Sequence, residues 1–317
     1  MERVFKYKVA NNADLLFVKK DIENYLKDKI PQELLSLYIF GIMELGTNLF
    51  KHAKEGEIWL LKSDEIYFLS FLDKGGGIKD LEWAMKKGTT TYNNSLGLGL
   101  YQLSQNDLLD FSIFSSTNLQ GTVSLLKPKD YNPKYSYLIL NYMDLKKSGD
   151  FIVKKGKFFL MGDVSGHGLK AYKTAEFIKK FFLKNPFSCI LVKEFFEKLH
   201  KTLIENKQRS AVLTIAEYTK RNLSLCGVGN IVSFEIQREK ITFYDFKSGI
   251  IGESFSSITE RKFSLDNGTL VGLVTDGVER EVLLEIKNIK DPVLFCICAL
   301  YFSDIKDDKS ILIFKGE

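Results

Sequence analysis

A short charged segment near the middle of the chain is the feature that most constrains its fold. Lys127–Lys134 holds two of the five prolines in this chain of 317 residues and separates two runs of strand-like sequence. Proline and clustered charges interrupt regular structure, so the segment predicts a domain boundary. The parts on either side have ordinary domain sizes. We therefore expect one domain over residues 1–128, a linker over 129–134 and a second domain over 135–317.

Apolar spacing indicates a different arrangement in each domain. In the first, Asn12 is expected to cap a helix and Pro31 to begin a longer one, between strands with alternating sequence. The expected apolar face of the first helix is Leu16, Val18, Ile22, Tyr25 and Leu26. The pattern predicts an α+β domain with helices on an antiparallel sheet. In the second domain, many strands and helices near 169–183, 190–205 and 291–302 predict two packed sheets flanked by helices.

Three short motifs in the first domain together suit a nucleotide. They are Glu44-Leu-Gly-Thr-Asn48, Asp73-Lys-Gly75-Gly76-Gly77 and Gly97-Leu-Gly99-Leu100. Glu44 and Asn48 share one helix face, where Asn48 offers an oxygen to Mg²⁺ and Glu44 can accept the proton of an attacking hydroxyl. Asp73 can accept a hydrogen bond from an adenine amino group, and free N–H groups at the next helix start favour phosphate. The P-loop pattern GxxxxGK[ST] is absent from the sequence.

In this order, and with Gly121-Thr122 before the last strand, the motifs resemble the GHKL (Bergerat-fold) ATPases, in particular the small anti-sigma-type serine kinases. The resemblance covers essentially residues 1–127, and the stretch 80–89 is similar to the RsbT branch. It implies that Glu44 is the catalytic base, that Asn48 holds Mg²⁺ and that Asp73 reads adenine. The residues that it implies for ATP binding are Asn48, Asp73, Gly75, Gly77, Gly97, Gly99, Leu100 and Thr122.

Aspartates in glycine-rich turns mark the second domain. The segments are Ser148-Gly149-Asp150, Gly162-Asp163-Val-Ser-Gly166-His167-Gly168, Thr275-Asp276-Gly277 and Asp307-Asp308-Lys-Ser310. An aspartate followed by glycine is by itself typical of a turn. These four, however, each fall at the edge of a predicted strand, where they can converge, and converging carboxylates repel one another unless cations neutralise them. Oxygen ligands favour Mg²⁺ or Mn²⁺ over zinc, and two such ions can activate a shared water for attack on phosphorus.

The second set resembles the metal-dependent serine/threonine phosphatases of the PPM (type 2C) family, in its SpoIIE-like and RsbX-like branch, from about residue 135 to 317. The resemblance implies two Mn²⁺ or Mg²⁺ ions and names Asp163 and Asp276 as catalytic. The ligands that it implies are Asp150, Asp163, the Val164 carbonyl, Asp276 and Asp307. The chain departs from the family pattern at Cys226-Gly-Val-Gly-Asn230, and no arginine stands near Asp150, where Lys146 and Lys147 are the nearest cations.

Composition narrows the function further. The net charge of +5 is spread along the chain without a basic arm, which argues against nucleic-acid binding. The longest apolar run, 293–302, is shorter than the roughly 20 residues that a membrane helix needs. The N-terminus lacks a signal-peptide core, and the four cysteines show no CxxC pairing. We therefore expect a cytoplasmic protein with no membrane partner.

The two resemblances together predict a bifunctional switch protein. The kinase would phosphorylate a serine on a STAS-type antagonist or scaffold protein, or on a regulator of a sigma factor, and the phosphatase would remove that phosphate. One alternative treats the first domain as a module that binds ATP and sequesters a partner without transferring phosphate. Another treats the second domain as degenerate and structural. The sequence leaves open whether the chain forms an oligomer.

Overall fold

The computed structural model describes residues 1–86, 99–141, 147–185 and 192–316. The chain divides into two compact units, Met1–Asn132 and Pro133–Glu317. Within the described part of the chain, no helix combines the length and apolar character that crossing a membrane requires.

The first unit is one antiparallel sheet with helices. Its elements are β1 (Glu2–Val9), α1 (Asn12–Leu26), α2 (Gln32–Ala53), β2 (Gly56–Ser63), β3 (Ile66–Asp73), α3 (Leu81–Ala84), α4 (Gly99–Ser104), β4 (Leu109–Ser116) and β5 (Gly121–Pro128). The strand order is β1-β2-β3-β5-β4, and all neighbours are antiparallel. The expected helices on an antiparallel sheet are therefore present, together with the short helix α3 that the sequence pattern did not predict.

The two long helices pack on one face of this sheet through their apolar stripes. α2 buries Leu35, Tyr38, Ile42, Leu45 and Leu49, at helical spacing, against residues of β2 and β3. The Tyr38 hydroxyl donates to the Tyr67 carbonyl at 2.5 Å, which ties the helix to β3.

At α1 the expectation was wrong by one residue. The N-cap is Asn11 rather than Asn12, and its side chain accepts from the Asp14 amide at 3.0 Å. Leu15 is buried, and Leu16 is 48% exposed, because Leu15 lies three and seven residues before Val18 and Ile22 and so shares their helix face, whereas Leu16 does not.

Part of the predicted linker packs on the first unit. Lys127 is buried, pairs with Asp110 at 3.0 Å and donates to the Tyr131 carbonyl at 2.7 Å. The Tyr131 ring stacks on Phe68, with centroids 5.7 Å apart. A buried charge is tolerated when it is paired, and through these contacts Lys127 fixes the segment up to Tyr131 against the first unit. Contacts divide the chain at 132/133, inside the expected linker.

The second unit contains two antiparallel sheets of five strands. Its elements are β6 (Tyr135–Leu140), β7 (Phe151–Lys155), β8 (Phe158–Val164), α5 (Gly168–Lys184), α6 (Val192–Glu205), β9 (Ala211–Tyr218), β10 (Asn222–Val228), β11 (Val232–Gln237), β12 (Lys240–Asp245), β13 (Thr259–Ser264), β14 (Leu270–Val274), α7 (Arg280–Ile286), α8 (Pro292–Phe302) and β15 (Lys309–Lys315). The sheet orders are β13-β10-β9-β8-β7 and β12-β11-β14-β15-β6.

Four layers follow from where the apolar side chains lie. Phe159 and Met161 of β8 pack with Leu273 of β14 and Phe314 of β15 between the sheets. On the other face of the first sheet, Leu160 of the same strand packs with α5 and α6. Helix α8 lies on β6 and β15. The unit is therefore an α-β-β-α sandwich, and the strand alternation of β8 decides which core each residue enters.

Candidate functional site

A cavity of about 500 Å³ opens in the first unit beside α2. This volume lies within the usual range for small-molecule sites. This cavity, called the α2 cavity, is lined by eight residues that the sequence assigned to a nucleotide site: Glu44, Asn48, Asp73, Gly75, Gly77, Gly99, Leu100 and Thr122. Gly97, the ninth, lies outside the described residues. Segments far apart in sequence thus meet around one space.

Glu44 and Asn48 line the cavity from α2, one helical turn apart. Gly99, the first residue of α4, lies directly against Glu44: a Cβ at Gly99 would be 2.0 Å from the Glu44 Oε2 atom. Only glycine therefore leaves room for this carboxylate in its present position. The pair gives the cavity a carboxylate acceptor beside an amide.

Asp73 is the last residue of β3 and forms part of the cavity wall. Its Oδ1 accepts from the Gly75 amide at 2.9 Å, and its carboxylate also accepts a backbone hydrogen bond from Thr122. Burial raises the pKa of Asp73, and these two hydrogen bonds act in the opposite direction. The side chain is thus fixed as an acceptor next to apolar wall residues such as Phe71 and Ile113.

The turn after β3 is held by hydroxyl groups. The Ser115 Oγ lies 2.9 Å from the Thr122 Oγ1 and accepts from the Ile78 amide at 2.7 Å. Gly77 has φ of +76°, and a Cβ there would lie 2.5 Å from the Ser116 carbonyl oxygen. A glycine is required where the chain turns this closely against β4. Thr122 therefore supports both Asp73 and the turn.

The α2 cavity also has basic residues that the sequence did not assign a role. Lys51 and His52 line it from the end of α2, and Lys79 from the turn before α3. Burial, and then the charge of Lys51, lowers the pKa of His52, which favours the neutral imidazole. A cavity with a fixed acceptor at one place and lysines at another suits a ligand with a base and phosphates.

In the second unit, four aspartates come within electrostatic reach of one another. Asp163 lies within β8, Asp276 lies two residues after the end of β14, and Asp150 and Asp307 precede β7 and β15. This acidic cluster comprises Asp150, Asp163, Asp276 and Asp307. Asp163 interacts with the other three members. These strand ends therefore bring three carboxylates within electrostatic reach of Asp163.

Asp150 is the most deeply buried member of the cluster, with 4% of its surface exposed. Its Oδ2 accepts from the Thr275 hydroxyl at 2.8 Å, and the Thr275 Oγ1 in turn accepts from the Ser310 amide at 2.9 Å. Burial, and then the charge of Asp163, raises the pKa of Asp150 well above its ordinary value, while the Thr275 and Ser310 bonds lower it. The hydroxyl relay orients a carboxylate that has lost its water.

The pKa of Asp163 is also raised, as that of Asp150 is. Burial, followed by the charges of Asp276 and Asp307, raises the pKa of Asp163 to about 7. Burial and Asp307 also raise the pKa of Asp276. Neighbouring carboxylates thus make Asp163 and Asp276 harder to ionise, which is the electrostatic situation that a divalent cation relieves.

Backbone oxygens also face this region. A Cβ at Gly149 would lie 3.0 Å from the Val164 carbonyl oxygen and 3.2 Å from the Gly166 carbonyl oxygen. The Val164 carbonyl therefore points toward the segment that carries Asp150. The Gly149 amide donates to the Asp308 Oδ2 at 2.9 Å, and this bond ties the approach to β7 to the approach to β15.

Several supporting residues were not assigned from the sequence. Asn230 donates from Nδ2 to the Asp276 Oδ2 at 2.8 Å, and the His167 Nδ1 lies 3.9 Å from the Asp307 Oδ1. Asn230 lies in the turn noted as a departure from the family pattern, and Thr275 and Asp308 adjoin predicted ligands. The available signal in the sequence was that some of these residues neighbour predicted ligands, but only the fold shows which hydroxyl or amide contacts which carboxylate.

The acidic cluster fits a divalent metal by its chemistry. Its donors are carboxylates and a carbonyl, which suit Mg²⁺ or Mn²⁺. Within the described ranges, no three His, Cys, Asp or Glu side chains converge closely enough to hold an ion by themselves. Mg²⁺ keeps several water ligands, so sparse protein ligation is compatible with it. Lys146 lies outside the described residues, and the Lys147 ammonium lies 5.4 Å from the Tyr172 ring centroid.

Comparison with known proteins concerns mainly the second unit. No curated protein matches the chain. One similar solved structure is described as "The bacterial stressosome: a modular system that has been adapted to control secondary messenger signaling"; it has 18% identity and a TM-score of 0.45, and the match covers 57% of this chain and 97% of that chain. RsbX in complex with magnesium has 17% identity and a TM-score of 0.48, over 58% of this chain and 96% of that chain. The catalytic domain of the serine threonine protein phosphatase PstP with two manganese ions has 12% identity and a TM-score of 0.47, over 58% of this chain and 98% of that chain. Residues 154–291 match the family model for Stage II sporulation protein E (SpoIIE). The second unit is therefore similar to SpoIIE over less than half of the chain, in a region that includes Asp163, Val164 and Asp276.

Proposed function

We propose that the second unit is a metal-dependent protein phosphatase acting on phosphoserine, and that the first unit is an ATP-dependent serine kinase. The observation that carries the phosphatase proposal is the convergence of the acidic cluster around Asp163, inside the region that matches SpoIIE. The proposed substrate is a STAS-type antagonist or scaffold protein in the cytoplasm. Both activities would then act on partner serines in one switch.

For the phosphatase, each residue has a stated task. Asp150, Asp163, the Val164 carbonyl, Asp276 and Asp307 would hold two Mn²⁺ or Mg²⁺ ions. When bound, the ions would supply charge neutralisation and an acidic water as the nucleophile. Thr275 orients Asp150, and Asn230 orients Asp276. The buried setting strengthens the bond between Thr275 and Asp150.

For the kinase, the support is the arrangement of the α2 cavity. Asp73 offers a fixed acceptor for an adenine amino group, Asn48 offers an oxygen to Mg²⁺, and Lys51 and Lys79 border the same space. Glu44 would accept the proton of the attacking serine hydroxyl. Mg²⁺ would neutralise the phosphates of ATP.

A second candidate function is specific to the first unit: it binds ATP and sequesters a partner without phosphate transfer. Asp73, Asn48 and the lysines would serve binding alone. The packing of Glu44 against Gly99 favours transfer, because it keeps a carboxylate at the cavity wall that ATP binding does not require.

The phosphatase proposal is tested by hydrolysis of a phosphoserine STAS protein by the full chain. We expect turnover with Mn²⁺, loss on adding EDTA, recovery with excess Mn²⁺, and loss in Asp276→Asn. Asp266→Asn, an exposed aspartate in the turn before β14, is the matched control and should retain activity. Mn²⁺-independent turnover, or an active Asp276→Asn, would contradict the proposal.

The kinase proposal is tested with γ-labelled ATP and the unphosphorylated STAS protein. Wild-type protein should transfer label to serine, and Glu44→Gln should bind ATP but transfer about 10²-fold or more slowly. Glu55→Gln, which alters a carboxylate on the surface beside Lys8, is the control. Tight ATP-dependent capture of the partner with no transfer by the wild type would establish the sequestering function instead.

A further inference from the structure

All the polar groups of Ser165, the residue after Val164, are bound by one short segment. The Ser165 amide donates to the Ser210 carbonyl at 3.0 Å, and the two hydroxyls lie 3.0 Å apart. The Ser165 carbonyl accepts from the Arg209 Nη1 at 2.5 Å. Residues 209–210, just before β9, therefore clamp the backbone that links Asp163 and Val164 to α5.

Arg209 is itself held in place. Its backbone amide donates to the Thr174 Oγ1 at 3.2 Å, and that hydroxyl donates to the Gln208 Oε1 at 3.0 Å. Thr174 is buried on α5, with 2% of its surface exposed. The base of the arginine is thus anchored to the same helix that the clamped segment leads into.

Glycine at position 166 makes room for the arginine. A Cβ there would lie 2.2 Å from the Arg209 Nη1, and Gly166 has φ of +75°. Any other residue would push the guanidinium away and strain the backbone. The Gly-His-Gly segment after Ser165 is therefore shaped around Arg209 as well as around its own turn.

The clamp has a consequence for the carbonyl groups on either side. The Ser165 carbonyl is directed to Arg209, whereas the carbonyls of Val164 and Gly166 approach Gly149, next to Asp150. The three carbonyls belong to consecutive planar peptide units, so holding the Ser165 carbonyl restricts how the units on either side can rotate. Binding the Ser165 oxygen therefore keeps the Val164 oxygen directed toward the acidic cluster.

We infer that Arg209 is a positioning residue for the metal centre, acting through the Ser165 carbonyl to hold the Val164 carbonyl in place. This inference rests on the proposed phosphatase function. Arginine suits the task because its guanidinium is always charged and has donors fixed in a plane, so it binds a carbonyl in one orientation.

The experiment measures metal binding by the full chain without substrate. Mn²⁺ is titrated into metal-free wild type, Arg209→Ala, Arg209→Lys and the control Arg221→Ala, and binding is followed by calorimetry and by the shift in unfolding temperature. Arg221 precedes β10, at the opposite end of β9 from Arg209, and is exposed. We expect Arg209→Ala to weaken Mn²⁺ about tenfold or more, the usual effect of losing a residue that orients a ligand. Arg209→Lys should recover part of the affinity, and Arg221→Ala should match the wild type.

Substrate kinetics separate this role from two others. With p-nitrophenyl phosphate and saturating Mn²⁺, Arg209→Ala should keep the wild-type KM, because the arginine does not contact phosphate in the inferred role. A raised KM with unchanged Mn²⁺ affinity would show that Arg209 grips the substrate phosphate and would overturn the inference. A lower metal-free unfolding temperature with unchanged Mn²⁺ affinity would also overturn it, because the role would then be purely structural.

Gly166→Ala provides a second variant if Arg209→Ala does not fold. Its added methyl group meets the guanidinium, so it too should weaken Mn²⁺, and wild-type affinity in a folded Gly166→Ala would count against the clamp. The proposed function fails separately: wild type that binds Mn²⁺ without hydrolysing phosphate contradicts the phosphatase but still tests Arg209. Wild type that binds no Mn²⁺ overturns both.

Discussion

At the scale of single residues, Asp150 depends most on the Thr275 hydroxyl. The carboxylate is buried, and the Thr275 bond is one of the two hydrogen bonds that lower its pKa against burial and the charge of Asp163. Removing a partner from a buried polar group costs more than the bond contributes, because the group left behind has no water to replace it.

The first prediction follows for Thr275→Val, which replaces the hydroxyl with a methyl group of similar size. We expect the free energy of unfolding of the metal-free protein to fall by about 1–3 kcal/mol, and the pKa of Asp150 to rise further. Urea unfolding in EDTA measures the first effect. Thr242→Val, on the exposed edge strand β12, is the control, and an equal loss of stability in both variants would contradict the assigned role.

The second prediction concerns the pH dependence of stability without metal. Folding raises the pKa of Asp163 from 3.8 to about 7, so the folded state holds a proton that the unfolded chain releases within that window. The penalty on folding is therefore absent below the unfolded value and complete above the folded one, and stability decreases as pH rises through the window. Asp163→Asn has no such proton.

The measurement compares unfolding of the wild type and Asp163→Asn in EDTA across this window. We expect the variant to gain stability relative to the wild type as pH rises toward about 7 and to level off above it. Saturating Mn²⁺ should restore the wild type alone. A difference that stays constant with pH would contradict the raised pKa.

At the scale of elements, α4 has a glycine where its backbone lies against Glu44. Alanine favours a helix interior over glycine by about 1 kcal/mol, yet α4 contains Gly99, where a Cβ would collide with the Glu44 carboxylate. Local helix preference and the position of the carboxylate thus oppose each other at this residue.

The third prediction uses this conflict. Gly99→Ala should leave the unfolding free energy close to that of wild type, because the helix gains what the displaced Glu44 loses. Serine phosphorylation should fall much more than ATP affinity, because Glu44 is moved rather than Asp73 or Asn48. Label transfer and ATP titration measure the two effects, and Gln102→Ala, exposed on α4, is the control. Equal losses of transfer and ATP binding would contradict the assigned role of Glu44.

Sequence patterns located most elements because their local signals are strong. The apolar run of β8, the stripe of α2 and the all-apolar α8 each appear in the structure near the expected bounds. The N-cap of α1 was placed one residue late because Asn11 and Asn12 are adjacent, and an asparagine at either position can cap a helix. Helix α7 was not predicted because a helix of seven residues has too few turns to show a helical period in its apolar residues.

The candidate sites were predictable only in part, for a physical reason. Asp163 and Asp276 stand in turn motifs that local sequence reveals. Arg209 lies in no motif, and its importance depends on the fold bringing β9 next to the end of β8. Contacts between segments distant in sequence decide which hydroxyl, amide or guanidinium supports which ligand, and no periodicity encodes them.

At the scale of the whole molecule, the chain has two compact units, and each contains one candidate site. A ligand that binds only the folded state stabilises it by about 2.7 kcal/mol at 100 times its Kd. This gain requires the protein residues that bind the ligand, so a variant that lacks them should lose it. Stabilisation by a ligand therefore reports which unit holds it.

The fourth prediction is a double dissociation between the two ligands. Asp73→Asn should abolish stabilisation by Mg²⁺ and a non-hydrolysable ATP analogue, because the amide keeps one acceptor oxygen for the Gly75 amide, the Thr122 amide and the adenine amino group, all of which donate. The same variant should keep its stabilisation by Mn²⁺ alone. Asp163→Asn should show the reverse, because it removes a carboxylate from the acidic cluster and leaves the α2 cavity unchanged. Thermal unfolding of the full chain with each ligand measures all four combinations. If either variant lost both responses, the two sites would not be separate, and if Asp73→Asn kept its response to the analogue, the α2 cavity would not be the ATP site.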